Sequence, residues 1–191
     1  MAKILKWVAA LAVGVGIGVG SLYYATFKAN PTPVIANGAW RMNPLAGSEA
    51  NSPYSRLEIA FTAILALARS ETIYFEARTD DAGEPLTAAC DYILSGPPPE
   101  ARWWSVTAYG SDDMLIPTQN ERYSASAASM QRDGAGDVEI ALSSDGSGPN
   151  GIATGAGNFV LLLRLYEPAK TVADAPDAVP LFKITKGSCR A

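Results

Sequence analysis

An uncharged run near the N-terminus constrains this chain more than any other feature. Residues 7–27 contain no lysine, arginine, aspartate or glutamate. As an α-helix they would extend about 30 Å, the hydrocarbon thickness of a bilayer. Lys3 and Lys6 precede the run and only Lys28 follows it closely, so the positive-inside rule places the N-terminus in the cytoplasm. The run is therefore predicted to be a transmembrane helix.

A cleaved signal peptide is the alternative interpretation. Signal peptides have a shorter apolar core and end in small residues spaced as Ala-x-Ala. Here Tyr23 lies two positions before Ala25, and Phe27 lies two positions before Ala29, so neither alanine marks a good cleavage site. We therefore predict an uncleaved anchor over residues 1–28, which makes the chain a single-pass protein of the inner (plasma) membrane with a periplasmic C-terminal domain.

Four glycines alternate with valine and isoleucine inside this span, at Gly14, Gly16, Gly18 and Gly20. They form two overlapping G-x-x-x-G pairs, a spacing that lets two helix backbones approach closely. Helix packing against another membrane-anchored protein is one interpretation of this pattern. The other is that glycine is simply common in membrane helices. The expected partners are thus membrane lipid and a second membrane-anchored protein.

The composition argues against several classes of function. The formal net charge is −4, whereas nucleic-acid binding depends on clustered lysine and arginine, so we expect no nucleic-acid partner. The chain has no histidine, which excludes Ser-His and Cys-His nucleophile pairs and histidine-ligated metals. We expect no cofactor, no metal ion and no catalytic residue of a familiar type.

The chain after the span is long enough for one folded domain. Residues 29–52 contain scattered prolines and glycines and are predicted to form a stalk that holds the domain off the lipid surface. Residues 53–191 are predicted to form a helix followed by a β-sandwich domain. Ser52 can cap the helix and Pro53 suits its first position, and the apolar spacing continues to about Arg69.

Short runs rich in β-branched and aromatic residues follow the helix, separated by turn residues. In residues 137–142, for example, Val138, Ile140 and Leu142 alternate with residues expected to point outward. With no helices alternating between the strands, the pattern predicts a sandwich or barrel. The candidate strands are residues 72–78, 86–94, 103–109, 137–142, 159–166 and 181–185.

The chain contains two cysteines, Cys90 and Cys189. Both follow the predicted span, on the side of the membrane where disulfides persist, and their even number favours a disulfide. The alternative for Cys90 is a buried free thiol, because it shares a predicted strand face with apolar residues.

A group of aromatic and polar residues supplies the candidate ligand-binding site. Adjacent aromatic and polar groups on a sandwich can bind sugars or lipids by stacking and directed hydrogen bonds. Packing and loop anchoring are the alternative roles. A carboxylate-dependent hydrolase or lyase would instead use Glu76, Asp112, Asp113 or Glu121. The candidate ligand-binding residues are Trp103, Trp104, Tyr109, Asp112, Asn120, Arg122 and Tyr123.

Several stretches in order resemble the domain of unknown function family DUF1214. They are IYF at 73–75, DAGEPL at 81–86, PPPEARWWSVTAY at 97–109, NERYS at 120–124, and residues 145–150 and 159–168.

The resemblance implies a mainly β, antiparallel jelly-roll-like β-sandwich. It also implies a companion domain, DUF1254, that a partner protein would supply here. Where the family pattern expects Asn-Trp-Leu-Pro, this chain has Asn150-Gly151-Ile152-Ala153. The resemblance implies no reaction. Because histidine is missing and no carboxylates fall in a recognisable catalytic motif, we expect a non-catalytic module that serves as a subunit or accessory protein of an envelope complex.

Overall fold

The computed structural model describes residues 2–29, 32–61, 66–118, 122–131, 134 and 136–190. Three α-helices, a π-helical turn and ten β-strands lie within these residues. The helices are α1 (Ala2–Tyr24), α2 (Pro53–Phe61) and α3 (Lys170–Asp174), and the π-helical turn is Ala25–Ala29. The strands are β1 (Ile35–Asn37), β2 (Trp40–Met42), β3 (Thr72–Ala77), β4 (Cys90–Gly96), β5 (Ala101–Gly110), β6 (Ser124–Ser126), β7 (Val138–Ser143), β8 (Ile152–Ala153), β9 (Phe159–Pro168) and β10 (Lys183–Cys189).

The N-terminal helix α1 is long and apolar enough to cross a membrane. None of its residues is buried against the rest of the chain, as a lipid-facing helix requires. At Gly14, Gly16, Gly18 and Gly20 an added Cβ would meet no described atom within 4 Å. This glycine face is therefore open, and its packing against a second helix stays a prediction.

The strands form two sheets, which confirms the predicted mainly β class. One has six strands in the order β1-β2-β3-β9-β5-β6, and the other has four in the order β10-β4-β7-β8. All pairings are antiparallel except that of β7 with the short β8. The two sheets share one buried cluster of apolar side chains, the arrangement of a sandwich.

Side chains along each strand point alternately towards and away from the other sheet, and those that point towards it form this core. Phe75 of β3 lies opposite Leu163 of β9, and both are fully buried. From the four-stranded sheet, Tyr92 meets the edge of the Phe159 ring, with ring centroids 5.7 Å apart. Val138, Ile140 and Leu142 point inward as predicted. The central strand β9 is buried on both faces over residues 159–163, which explains its uninterrupted apolar run.

Two strands lie inside the segment predicted to be a stalk, and this is a correction. β1 pairs with β2, and Arg41 of β2 pairs with Glu76 of β3, so both strands extend the six-stranded sheet. Trp40 is 1% exposed, and its Nε1 donates a hydrogen bond of 2.7 Å to the carbonyl oxygen of Phe182. The burial of this large ring makes residues 35–42 part of the folded domain.

Helix α2 begins as predicted but does not reach Arg69, which is a second correction. The Ser52 hydroxyl accepts a hydrogen bond of 3.1 Å from the backbone N–H of Ser55, as an N-cap does. The helix extends to Phe61, residues 62–65 lie outside the described part, and residues 66–69 are not helical. The backbone N–H of Leu67 instead donates to the hydroxyl of Tyr74 on β3.

A disulfide joins Cys90 and Cys189, as predicted. The two cysteines lie directly opposite each other where β4 pairs with β10. Cys90 is 4% exposed and belongs to the core. The disulfide indicates an oxidising compartment.

Candidate functional site

The outer face of the six-stranded sheet, which points away from the core, gathers the chemically distinctive side chains. Directly opposite residues of antiparallel strands point to the same face. Leu161, Leu163 and Leu165 of β9 point inward, so Arg164 and Tyr166 point outward. Residues of the neighbouring strands therefore extend the outer face around Arg164. Tyr74 and Ser105 lie opposite Arg164, Trp103 lies opposite Tyr166, and Tyr109 lies opposite Val160.

Arg164 occupies the centre of this face and is half-buried. Its Nη1 donates to the Thr107 hydroxyl at 3.2 Å, and its Nη2 donates to the Tyr109 hydroxyl at 2.5 Å. The guanidinium carbon also lies 5.6 Å from the centroid of the Tyr109 ring, within the range of cation–π attraction. A guanidinium has five N–H donors, so these two bonds orient the group while leaving donors for a ligand.

The paired tryptophans divide between the two faces of β5, as their adjacent positions require. Trp104 is 2% exposed, and its ring lies 5.2 Å from that of Phe182 in the core. Trp103 is 37% exposed on the outer face, with its ring centroid 5.1 Å from that of Tyr166. Trp103, Tyr109, Arg164 and Tyr166 together are called the aromatic–arginine face below.

The structure brings only some of the predicted ligand-binding residues together. Trp103 and Tyr109 belong to the aromatic–arginine face, whereas Trp104 fills the core. Asp112 lies in the turn after β5, where its carboxylate accepts a hydrogen bond from the backbone N–H of Met114 at 3.1 Å. Tyr123 is 40% exposed just before β6, and Arg122 directly precedes it. Asn120 lies outside the described residues.

Two of the carboxylates named for an enzyme meet at one arginine. Glu76 forms an ion pair with Arg78 Nε, and Asp113 Oδ1 lies 3.3 Å from Arg78 Nη2. All three side chains are partly exposed. Glu121, the remaining candidate, lies outside the described residues.

Sequence reasoning missed Arg164 and Tyr166, which complete the aromatic–arginine face. The sequence pattern that could have identified them is the second half of β9, where Arg164 and Tyr166 alternate with apolar residues and so lie on the face away from the core. The same reasoning did not identify Arg78, which gathers Glu76 and Asp113.

No group of three or more acidic, cysteine or histidine side chains suited to a metal ion occurs among the described residues.

A separate groove lies beside α3. It has a volume of 550 Å³ and mostly apolar walls, which include Pro98, Val172 and Val179. At its rim, the Thr171 hydroxyl donates to the Glu100 carboxylate at 2.9 Å. None of the predicted ligand-binding residues lines it, so the groove is distinct from the aromatic–arginine face.

The turn after β7 is held by Asp145. The hydroxyl and backbone N–H of Ser147, and then the hydroxyl of Ser143, donate to its carboxylate and lower the pKa of Asp145 to about 2. Because the pKa is lower in the folded chain, this stabilisation is complete above the ordinary value of 3.8 and is lost as the pH falls through about 2. The hydrogen bonds therefore make the turn resistant to mild acid.

Asn150 and Gly151, where the resemblance led us to expect Asn-Trp, lie in the same turn. A Cβ at Gly151 would lie 2.1 Å from the carbonyl oxygen of Gly146, so this turn admits no larger residue, and no tryptophan, at that position. Asn150 has a positive φ of 50°. Its amide donates to the carbonyl oxygens of Gln131 at 3.0 Å and Glu139 at 2.7 Å. The Asn150 side chain thus ties this turn to β7 and to the segment before it.

A solved structure shares this fold. A protein from Vibrio parahaemolyticus aligns over 93% of this chain with a TM-score of 0.62 and 22% identity. The chain spans 44% of that protein's length. An uncharacterised protein from Burkholderia cenocepacia aligns over 89% of this chain and 39% of its own length, with a TM-score of 0.47 and 17% identity. No curated protein matches the sequence.

The family-level comparison is more specific than these fold similarities. The profile of the family described as protein of unknown function DUF1214 matches residues 71–170. The matched region runs from just before β3 to the first residue of α3 and includes the whole aromatic–arginine face. This chain belongs to the DUF1214 family.

Proposed function

We propose that this protein is a membrane-anchored, non-catalytic module that binds another protein through the aromatic–arginine face. Tryptophan, tyrosine and arginine are the residues most enriched at the energetic centres of protein interfaces. Here they are gathered on one sheet face, and hydrogen bonds to Thr107 and Tyr109 fix the arginine before any partner arrives. Preorganisation of this kind lowers the entropic cost of binding.

The proposed location is the inner membrane, where α1 crosses the bilayer once without being cleaved and the sandwich lies in the periplasm. Helix α1 supports a membrane location because it is long and apolar and buries none of its residues in the domain. The Cys90–Cys189 disulfide supports an oxidising compartment for the sandwich. Lys3 and Lys6 before the span support a cytoplasmic N-terminus.

The proposed partner is a second membrane-anchored protein of an envelope complex, and a chain that carries a DUF1254 domain is the specific candidate. The resemblance to the DUF1214 family implies DUF1254 as the companion domain, which is the reason for naming this candidate. The open glycine face of α1 offers the partner's span a close approach within the bilayer. The partner would then contact both the glycine face of α1 and the aromatic–arginine face. Once one of these contacts forms, the other forms at a high effective concentration, so the complex binds more tightly than either contact alone.

Site-specific photocrosslinking in living cells tests this interface. We expect a crosslinker at Trp103 to capture one partner in stoichiometric amounts. Arg164→Met should reduce that capture by at least about tenfold, because a hot-spot arginine contributes about 2 kcal/mol or more. The matched control is Arg102→Met. Arg102 lies on β5 next to Trp103 but forms an exposed ion pair with Glu167 of β9, which contributes little.

Two results would contradict the proposed interface. One is a crosslinking pattern at Trp103 that Arg164→Met leaves unchanged. The other is equal capture by a crosslinker placed at Lys186, an exposed residue of the opposite sheet.

A second candidate function is a carboxylate-dependent hydrolase or lyase, or a binding protein, that acts on envelope glycans or lipids. The meeting of Glu76 and Asp113 at Arg78 favours it, because glycosidases use two carboxylates within about 10 Å of each other. Mass spectrometry of envelope glycan fragments incubated with the protein tests the catalytic form. Product that both Glu76→Gln and Asp113→Asn abolish would support it.

A further inference from the structure

We propose that the domain rests directly on the phospholipid surface through α2, an inference that depends on the proposed membrane anchoring by α1. The proposal assigns α2 and the π-helical turn as a lipid-binding surface. It replaces the stalk with a contact of fixed geometry between the domain and the bilayer.

The connection between α1 and α2 provides the first observation. Helix α1 continues without a break into the π-helical turn Ala25–Ala29, and α2 packs against that turn. The hydroxyl of Thr32, just beyond the turn, lies 2.9 Å from the hydroxyl of Ser55 on α2. Ser55 is 1% exposed, and Thr26 of the turn is also buried. The turn and α2 therefore form one packed unit.

The dimensions of a bilayer then place α2 at its surface. The uncharged part of α1, residues 7–24, extends about 27 Å, close to a hydrocarbon core of about 30 Å. With α1 across that core, Tyr23 and Tyr24 lie at the interface, where aromatic residues anchor helices. The next turn enters the headgroup layer. Because packed helices lie about 8–10 Å apart, α2 lies within about 10 Å of the depth of that turn.

The side chains of α2 suit that position. Tyr54 is 36% exposed and Arg56 is exposed, which gives this helix an aromatic ring and a cation for the headgroup layer. Lys28 is exposed in the adjoining turn. The Arg56 guanidinium donates one hydrogen bond to the carbonyl oxygen of Glu49, which holds it beside the helix.

The charge distribution identifies the lipid class. Residues 28–61 contain three basic and two acidic residues, whereas residues 62–191 contain ten basic and seventeen acidic residues. An anionic bilayer attracts the first segment and repels the bulk of the domain. This difference favours the orientation in which α2, rather than another surface of the sandwich, meets anionic phospholipid.

Spin labels on the full chain in nanodiscs that contain phosphatidylglycerol test the proposal. Single cysteines replace Val13 in the span, Tyr54 on α2, and Ser144 in the turn after β7, while the native disulfide keeps Cys90 and Cys189 unlabelled. The accessibility of each label to oxygen, divided by its accessibility to a nickel chelate, reports depth. We expect the ratio at Tyr54 to exceed that at Ser144 by at least about threefold, as for interfacial helices.

The three labels separate failure of the inference from failure of the anchor. A lipid-like ratio at Val13 with equal ratios at Tyr54 and Ser144 would overturn the seating of α2 and leave the anchor intact. A water-like ratio at Val13 would overturn the proposed anchor and the inference with it. The variant Arg56→Glu should lower the ratio at Tyr54 towards that at Ser144, and no change would contradict the proposed role of anionic lipid.

Discussion

Replacing Cys90 and Cys189 together by alanine is expected to lower the free energy of unfolding by about 4 to 5 kcal/mol. The disulfide closes a loop with a sequence separation of 99, and a crosslink across so long a loop removes much entropy from the unfolded chain. Strand β10 depends on it more than a central strand would. It lies at the edge of its sheet, and Ile184 is its one buried residue. Without the disulfide, we expect β10 to separate from β4 first.

Urea denaturation of the wild type and the double variant measures this effect. Reduction should destabilise the wild type by a similar amount and leave the double variant unchanged, which provides the control. Alanine is preferred to serine because Cys90 is buried, and an unpaired hydroxyl there would add its own cost. Two reactive thiols in the unreduced, denatured wild type would contradict the disulfide itself.

The variant Trp40→Ala is expected to destabilise the domain by about 3 to 5 kcal/mol. Trp40 is among the largest fully buried side chains, so its removal leaves a cavity. The change also removes the hydrogen bond to the carbonyl oxygen of Phe182. If that buried oxygen is left without a donor, the free energy of unfolding falls by up to about 3 kcal/mol more. An effect of this size would show that β2 belongs to the cooperative unit and is not part of a flexible stalk.

Chemical denaturation measures the loss at Trp40, and Trp103→Ala is the matched control. Trp103 is 37% exposed on the outer face, so its removal should cost much less than that of Trp40, because over a third of its surface is already in contact with water. Equal effects of the two variants, or a Trp40→Ala protein as stable as the wild type, would contradict the placement of β2 in the sheet.

The parts of the fold that follow from local periodicity could be predicted from the sequence. The alternation of Val138, Ile140 and Leu142 predicted β7 and its buried face, and residues 159–166 were predicted as the strand that the structure shows as β9. The limits of β4 and β10 differ from the predicted 86–94 and 181–185. Both differences lie at strand ends, where pairing with another strand rather than local pattern decides the limit.

Strands β1 and β2 could not be predicted because each is three residues long. Alternation over three residues, such as Trp40-Arg41-Met42, does not differ from chance. The prolines and glycines around them are typical of a linker. What holds these strands is long-range: Trp40 bonds to Phe182, and Asn37 donates to the carbonyl oxygens of Pro176 and Val179. The bonded residues are about 140 positions apart in the sequence, so the residues around each strand show no pattern that would predict these contacts.

The candidate site was predictable only in part, for the same reason. The adjacency of Trp103 and Trp104 requires opposite faces, so one exposed tryptophan could be expected. The register of β5 against β9 could not be read from the sequence, and it is the register that brings Arg164 to Tyr109 and Tyr166 to Trp103. A charged residue inside an apolar strand was the available signal, because such a residue must face outward or be paired.

The interface, the lipid contact and the compartment all require that α1 stays attached to the domain and crosses the bilayer. Intact-mass spectrometry of the protein recovered from carbonate-washed membranes measures this directly. We predict a single species that contains residues 1–28 and is two hydrogens lighter than the fully reduced chain. A mature chain that begins beyond Phe27, or recovery of the protein in the soluble fraction, would contradict the membrane anchor.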